Sequence, residues 1–283
     1  MVDLVHPARA LWWLFEPVHG VSYFLPEGRA AFEEAGLRGP WRGYFASRSA
    51  PLGAVEAPPV VAAFFNFAPA MVERALPSVW SLASPEETLA ARLKGSAAAL
   101  ARLLEHVDRE QVELVADALE QAASRLDCAG RVLAAANAAL PRPSGLYERL
   151  WQAATVMREH RGDGHVAALV AAGLDGCEAL VIRCAMDMRR DQLQPMRGWT
   201  DAEWEAAAGR LVERGWLTAA GAVTELGRTR HQSLEAATDL AAARVWEGYP
   251  RAELDRLAAA LKPIAALCRS QLPYYPAGLP DHT

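Results

Sequence analysis

The phrase AGLRG at residues 35–39 returns as AGLDG at 172–176, an offset of 137. Leu11-Trp12 is answered by Leu150-Trp151 at 139, and Val72-Glu73-Arg74 by Val212-Glu213-Arg214 at 140. Ser84, ahead of a long helical stretch, is matched by Thr224 at 140, and Asp108-Arg109 by Pro250-Arg251 at 142. No single match is informative, because AGLxG is ordinary in alanine-rich helices. The shared order at near-constant spacing is informative. It predicts two copies of one module, fused in tandem and packed as a pseudo-dimer. PRPSG at 141–145 marks the joint. Its prolines, serine and glycine interrupt both helices and central strands. The predicted units are residues 1–140 and 146–283, with 141–145 as the linker.

Each unit reads as helical. Apolar residues recur at helical spacing through most of the chain. A helix start or a packed arm is predicted from Ala8 to Phe15, ending at Pro17, and helices from Pro26 to Gly36 and onward from Pro40. APLGAVEAPP at 50–59 reads as a loop, with two short helices around Pro69. Ser84-Pro85-Glu86-Glu87 has the chemistry of a capping box and opens a helix to Leu104; periodicity resumes from Asp108 to Ala139. The second unit predicts a helix from Leu146, a turn at RGDG (161–164), a helix closed by Gly173, and one helix through CEALVIRCAMDMRRDQL. Thr200 opens another helix with a second capping-box pattern. WLTAAGAVTEL then reads as a small β-wing, two short strands about Ala220-Gly221. A long helix, a last helix from Arg251 and a Pro-Tyr tail complete the chain.

Composition excludes several classes. The 283 residues are 52% apolar and 22% charged, enough for a large core, and the net charge is −5. Such a chain has no global attraction to nucleic acid or anionic lipid. Cys128, Cys177, Cys184 and Cys268 have no zinc-type spacing, so the reading is free thiols in a reducing compartment. The N-terminal stretch lacks a signal-peptide pattern, and no uncharged run reaches the ~18 residues of a membrane span. A cytoplasmic protein with no membrane partner, monomeric or homodimeric, is expected.

GWTDAEWEAAAGRLVERGWLTAAGAVTELGRTRHQSLEA is similar to the winged helix-turn-helix of MarR-type regulators. There a helix ends in a phrase like LVERGWL, a wing follows, and a Leu-Thr-x-x-Gly-like phrase, here VTELG, opens a long helix. Over nearly its full length the chain resembles an uncharacterised actinobacterial helix-turn-helix family. LFEPVHGVSYF, GLRGPWRGYFASRSAPLG, FFNFAPAMVERALPSVW and GHVAALVAAGLDGCEAL carry that resemblance. It implies tandem winged-helix-like modules, the N-terminal one with a degenerate wing. The MarR-type arrangement implies a ligand pocket beside the dimer helices. The residues disfavour DNA as a partner. Asp201, Glu203 and Glu205 occupy the first turns where bases would be met, and TAAGAV has no cation for a groove.

Candidate site residues cluster in aromatic segments. EPVHGVSYF places His19 and Tyr23 four apart near Trp12, and histidine is the side chain suited to acid–base work near neutral pH. WRGYFASR offers Trp41, Tyr44 and Arg48, with Tyr44 and Arg48 on one helical face. Arg48 could clamp an anion or pair with Glu33, Glu34 or Glu73. Asn66 sits among phenylalanines and either reads a ligand or caps the helix at Pro69. His165 stands at a predicted helix start. Cys177, Cys184 and Met188 read as a sulfur-bearing core stripe, so no metal is assigned, and the cofactor is left unknown. The pattern as a whole predicts a pocket for a hydrophobic or aromatic small molecule, lined by Trp12, His19, Tyr23, Trp41, Tyr44, Arg48 and Asn66. Two alternatives stand beside it: an enzyme using His19, Tyr23 or His165, and a MarR-like transcription regulator.

Overall fold

Proline and cap chemistry set where the helices begin. The computed structural model describes residues 6–272. The first half holds α1 (Pro7–Phe24), α2 (Pro26–Glu34), α3 (Pro40–Ser49), α4 (Ala57–Phe64), α5 (Pro69–Glu73), α6 (Pro85–Leu103), α7 (Arg109–Ala123) and α8 (Val132–Ala138). The second holds α9 (Leu146–Ala171), α10 (Gly176–Met186), α11 (Arg190–Arg197), α12 (Asp201–Glu213), α13 (Glu225–Ala243) and α14 (Arg251–Arg269). Proline fills the first turn of α1 to α6, where its missing N–H has no intrahelical role. Ser84 and Thr200 form the two capping boxes predicted, each exchanging bonds with the glutamate three residues on. Such a cap contributes ~1 kcal/mol.

The core has three centres. A central body joins α1, α6, α7, α9 and α14 through Phe15, Leu100, Leu119, Trp151 and Leu261. One lobe packs Phe45, Phe64, Phe67 and Leu76 with residues of α2 and α6; the other packs Ile182, Trp204, Leu211 and Leu217 with residues of α9 and α13. Helices cross between halves in a reciprocal way. α7 lies on α9, α14 lies on α1, and α1 and α9 touch each other. α2 seats on α6 because both are glycine at the crossing: a Cβ on Gly95 would stand 2.7 Å from Gly28 Cα.

Several predicted elements differ. Pro17 does not stop α1; it lies inside it. The segment read as a loop at 50–59 holds a 3₁₀ turn (Ala50–Leu52) and the start of α4. The run from Asp108 to Ala139 breaks into α7 and α8. RGDG is not a turn, because α9 runs through it, and His165 is therefore mid-helix. Burial against α7, α8 and α13 outweighs the low helix propensity of two glycines there. The single helix predicted from Cys177 is split into α10 and α11, leaving Met188 outside both. The wing is reduced: Leu217 and Val223 form one antiparallel bridge, and there is no strand among the described residues. The Pro-Tyr tail lies outside the described residues. No single helix among them is long and apolar enough to cross a membrane.

Candidate functional site

α1 and α3 meet α9 and α11 around a cavity of about 220 Å³. Trp12, His19 and Tyr23 reach it from α1, Trp41, Tyr44 and Arg48 from α3, and Arg158 from α9. Leu193, Met196 and Arg197 close it from α11. A second cavity of about 530 Å³ adjoins it, sharing Trp12, Glu16, Arg158 and Arg197. This outer space also holds Asn66, His165, Arg183, Asp187, His231 and Glu235. Six of the seven lining residues expected from sequence thus share the inner chamber, and Asn66 faces the outer one. Asn66 does not cap the helix at Pro69, whose N-cap is Ala68.

The chamber walls are aromatic. Tyr23 and Tyr44 stand 4.9 Å apart between ring centroids, and Trp41 and Tyr44 5.7 Å. His19 stacks on Trp151 and meets the Tyr23 ring edge-on at 5.2 Å. Its Nδ1 lies 3.0 Å from the Thr155 hydroxyl, and the Trp151 indole N–H donates to its carbonyl at 3.1 Å. Burial, with Arg158 nearby, holds the His19 imidazolium well below the ordinary histidine range, so the ring is neutral. The Tyr23 hydroxyl is buried without a hydrogen-bond partner, and burial raises its pKa.

Charges behind this wall are paired across the halves. Arg48 donates through Nε and Nη2 to Glu159, at 3.2 and 3.1 Å, and through Nη1 to the Tyr44 hydroxyl at 2.9 Å. Arg158 joins Glu159 at 2.8 Å and Glu16 at 3.4 Å, and the Trp12 indole donates to Glu16 at 2.8 Å. Burial alone would raise the Glu159 carboxyl, but Arg48 and Arg158 outweigh it and hold it far down. Arg48 therefore has none of the partners proposed on its own half. Sequence reasoning missed Arg158, Glu159 and Arg197. The one available signal was the dense charge of REHR in the middle of a helix.

In the outer cavity His165 Nδ1 lies 2.9 Å from the Thr238 hydroxyl, and burial lowers its pKa to about 4. Arg161 and Arg9 pair with Asp239 at 2.9 and 2.7 Å, and Arg183 pairs with Asp187 at 3.0 Å. Cys177 and Cys184 are free thiols. Among the described residues, no group of three or more His, Cys, Asp or Glu is placed to hold a metal ion.

α11 and α12 are joined through the left-handed Gly198, and this connection docks on the first half. Ala68 N–H donates to Arg197 carbonyl at 2.8 Å, and the Trp199 indole to Asn66 carbonyl at 2.9 Å. The exposed first turns of α12 carry Asp201, Glu203 and Glu205. Nearby cations are engaged: Arg190 holds Asp201 and Glu205 at 3.1 and 2.6 Å, and Arg210 holds Glu178 at 2.8 Å.

No curated protein and no solved structure matches the chain. A family described as a helix-turn-helix family matches it over residues 8–273, almost the whole of its described length, and the chain belongs to that family.

Proposed function

We propose that this protein binds a small aromatic molecule between its two halves, on a winged-helix-derived frame whose α12 no longer reads DNA. The cavity carries this reading. It is enclosed by four helices, two from each half, with apolar rings and a few fixed polar groups, the usual composition of a ligand site. The reciprocal packing of α7 on α9 and α14 on α1 supports an origin by duplication, with the pocket at the pseudo-dimer junction. A neutral His19 tied to Thr155 suits a wall of fixed dipoles better than proton transfer near neutral pH. Carboxylates on the exposed start of α12 would meet phosphate with repulsion. α11 lines the cavity and leads through Gly198 into α12, so a ligand would touch the helix next to α12 directly.

Tryptophan fluorescence tests the reading, since Trp12 and Trp41 line the chamber. Titration with one- and two-ring aromatic compounds is expected to give saturable quenching, reduced in Trp41→Leu. Titrations that are linear for every compound, or unaltered by Trp41→Leu, would remove the chamber as the site.

A further inference from the structure

Six guanidinium groups line the two adjoining cavities, and five have a carboxylate. Arg48 and Arg158 share Glu159, with Glu16 also on Arg158. Arg9 and Arg161 share Asp239 and reach Glu235, and Arg183 has Asp187. Arg197 is the exception. No carboxylate among the described residues lies within ion-pair distance of it. Its Nε is buried without an acceptor, its Nη1 has only the Met196 carbonyl at 3.5 Å, and its guanidinium lies 4.6 Å from the Phe67 ring centroid. A cation held on an aromatic face beside an apolar chamber is an anchor for an anion, because partial burial strengthens the attraction.

On the chamber wall, the Tyr23 hydroxyl is likewise buried without a partner. It is a donor available to a ligand oxygen. We infer that the ligand is an aromatic monocarboxylate, its charge on Arg197 and its ring among Tyr23, Trp41 and Tyr44. This rests on the cavity reading and adds the charge and class of the ligand. The forked guanidinium matches a carboxylate in geometry. A dianion is disfavoured, because Glu16, Asp187 and Glu235 line the adjoining space and only one cation is unmatched.

Calorimetry on the full chain with 2-naphthoate, 2-naphthamide and 2-naphthyl phosphate tests this. These probes share the ring and differ in charge. The expected result is naphthoate binding at least about ten-fold tighter than the other two, with the preference over naphthamide abolished in Arg197→Gln. Circular dichroism melting of that variant checks that it folds; if it does not, the wild-type ranking alone decides. Equal binding of naphthoate and naphthamide would overturn the inference and leave the cavity reading standing. Tighter binding of the phosphate would overturn the monoanion assignment. No binding of any of the three would overturn both.

Discussion

Arg48 on α3 and Glu159 on α9, 111 residues apart in the chain, meet in a buried two-bond ion pair that joins the halves beside the cavity. Both side chains are almost wholly enclosed, at 7% and 2% exposure, so neither charge can return to water when the other is removed. Glu159→Gln leaves the buried Arg48 guanidinium without its carboxylate, and the half-buried Arg158 with Glu16 alone. The expected loss of stability is about 3–5 kcal/mol, read by urea unfolding. A loss below 1 kcal/mol would mean that this junction is far better hydrated than its burial implies.

Gly198 sets the angle between α11 and α12. Its φ is +76°, and a Cβ there would stand 2.8 Å from the Met71 side chain. Gly221, in the turn that replaces the wing, has φ +79° and nothing within 4 Å of its Cβ position. Gly221→Ala should therefore cost about 1 kcal/mol from backbone strain alone. Gly198→Ala should cost about 2–4 kcal/mol, because overpacking against the first half adds to the same strain. Equal losses in the two variants would show that the turn between α11 and α12 is not tightly docked.

Acid should weaken the fold through its buried histidines. Burial lowers His160 and His165 to about 4 and depresses His19 and His231 as well. Between the ordinary histidine value of about 6.5 and about 4, the unfolded chain binds protons that the native chain refuses, so stability falls as pH falls through that window. Asp163 and Asp187 oppose this, since burial raises both, Asp163 to about 6, and their native forms keep protons that the unfolded chain releases. Four imidazoles outweigh two carboxyls. Urea unfolding at about pH 7.5 and about pH 5 should show the drop, and His165→Gln should reduce it by roughly 1–2 kcal/mol. Stability that is flat or rising toward pH 5 would contradict the buried, neutral state of these rings.

An α12 that presents Asp201, Glu203 and Glu205 outward should not retard DNA. No electrophoretic shift is expected with random duplexes or the chain's own upstream region, even at low salt. A salt-sensitive shift dependent on α12 would return the protein to the regulators.

Much of the frame was legible because it rests on local chemistry. The caps at Ser84 and Thr200 and the prolines opening helices each act within a few residues. The chamber's first wall was legible for a related reason. Trp12, His19 and Tyr23 recur along α1, and Trp41, Tyr44 and Arg48 along α3, at spacings that place them on shared helical faces. The remainder depends on distant partners. Nothing near Glu159 announces Arg48, and nothing in QPMRGW marks Arg197 as the unmatched cation. RGDG misled because glycine propensity is weak beside the burial of α9 on several helices. TAAGAV has so few β-formers that its two arms meet at a single bridge.

The most direct measurement is native against denaturing mass spectrometry of untagged protein from its own host, alongside Trp41→Leu. One extra small-molecule mass per chain is expected under native conditions, lost on denaturation and depleted in the variant. A mass equal to the bare chain in both, or an adduct retained undiminished by Trp41→Leu, would contradict a ligand held between the halves.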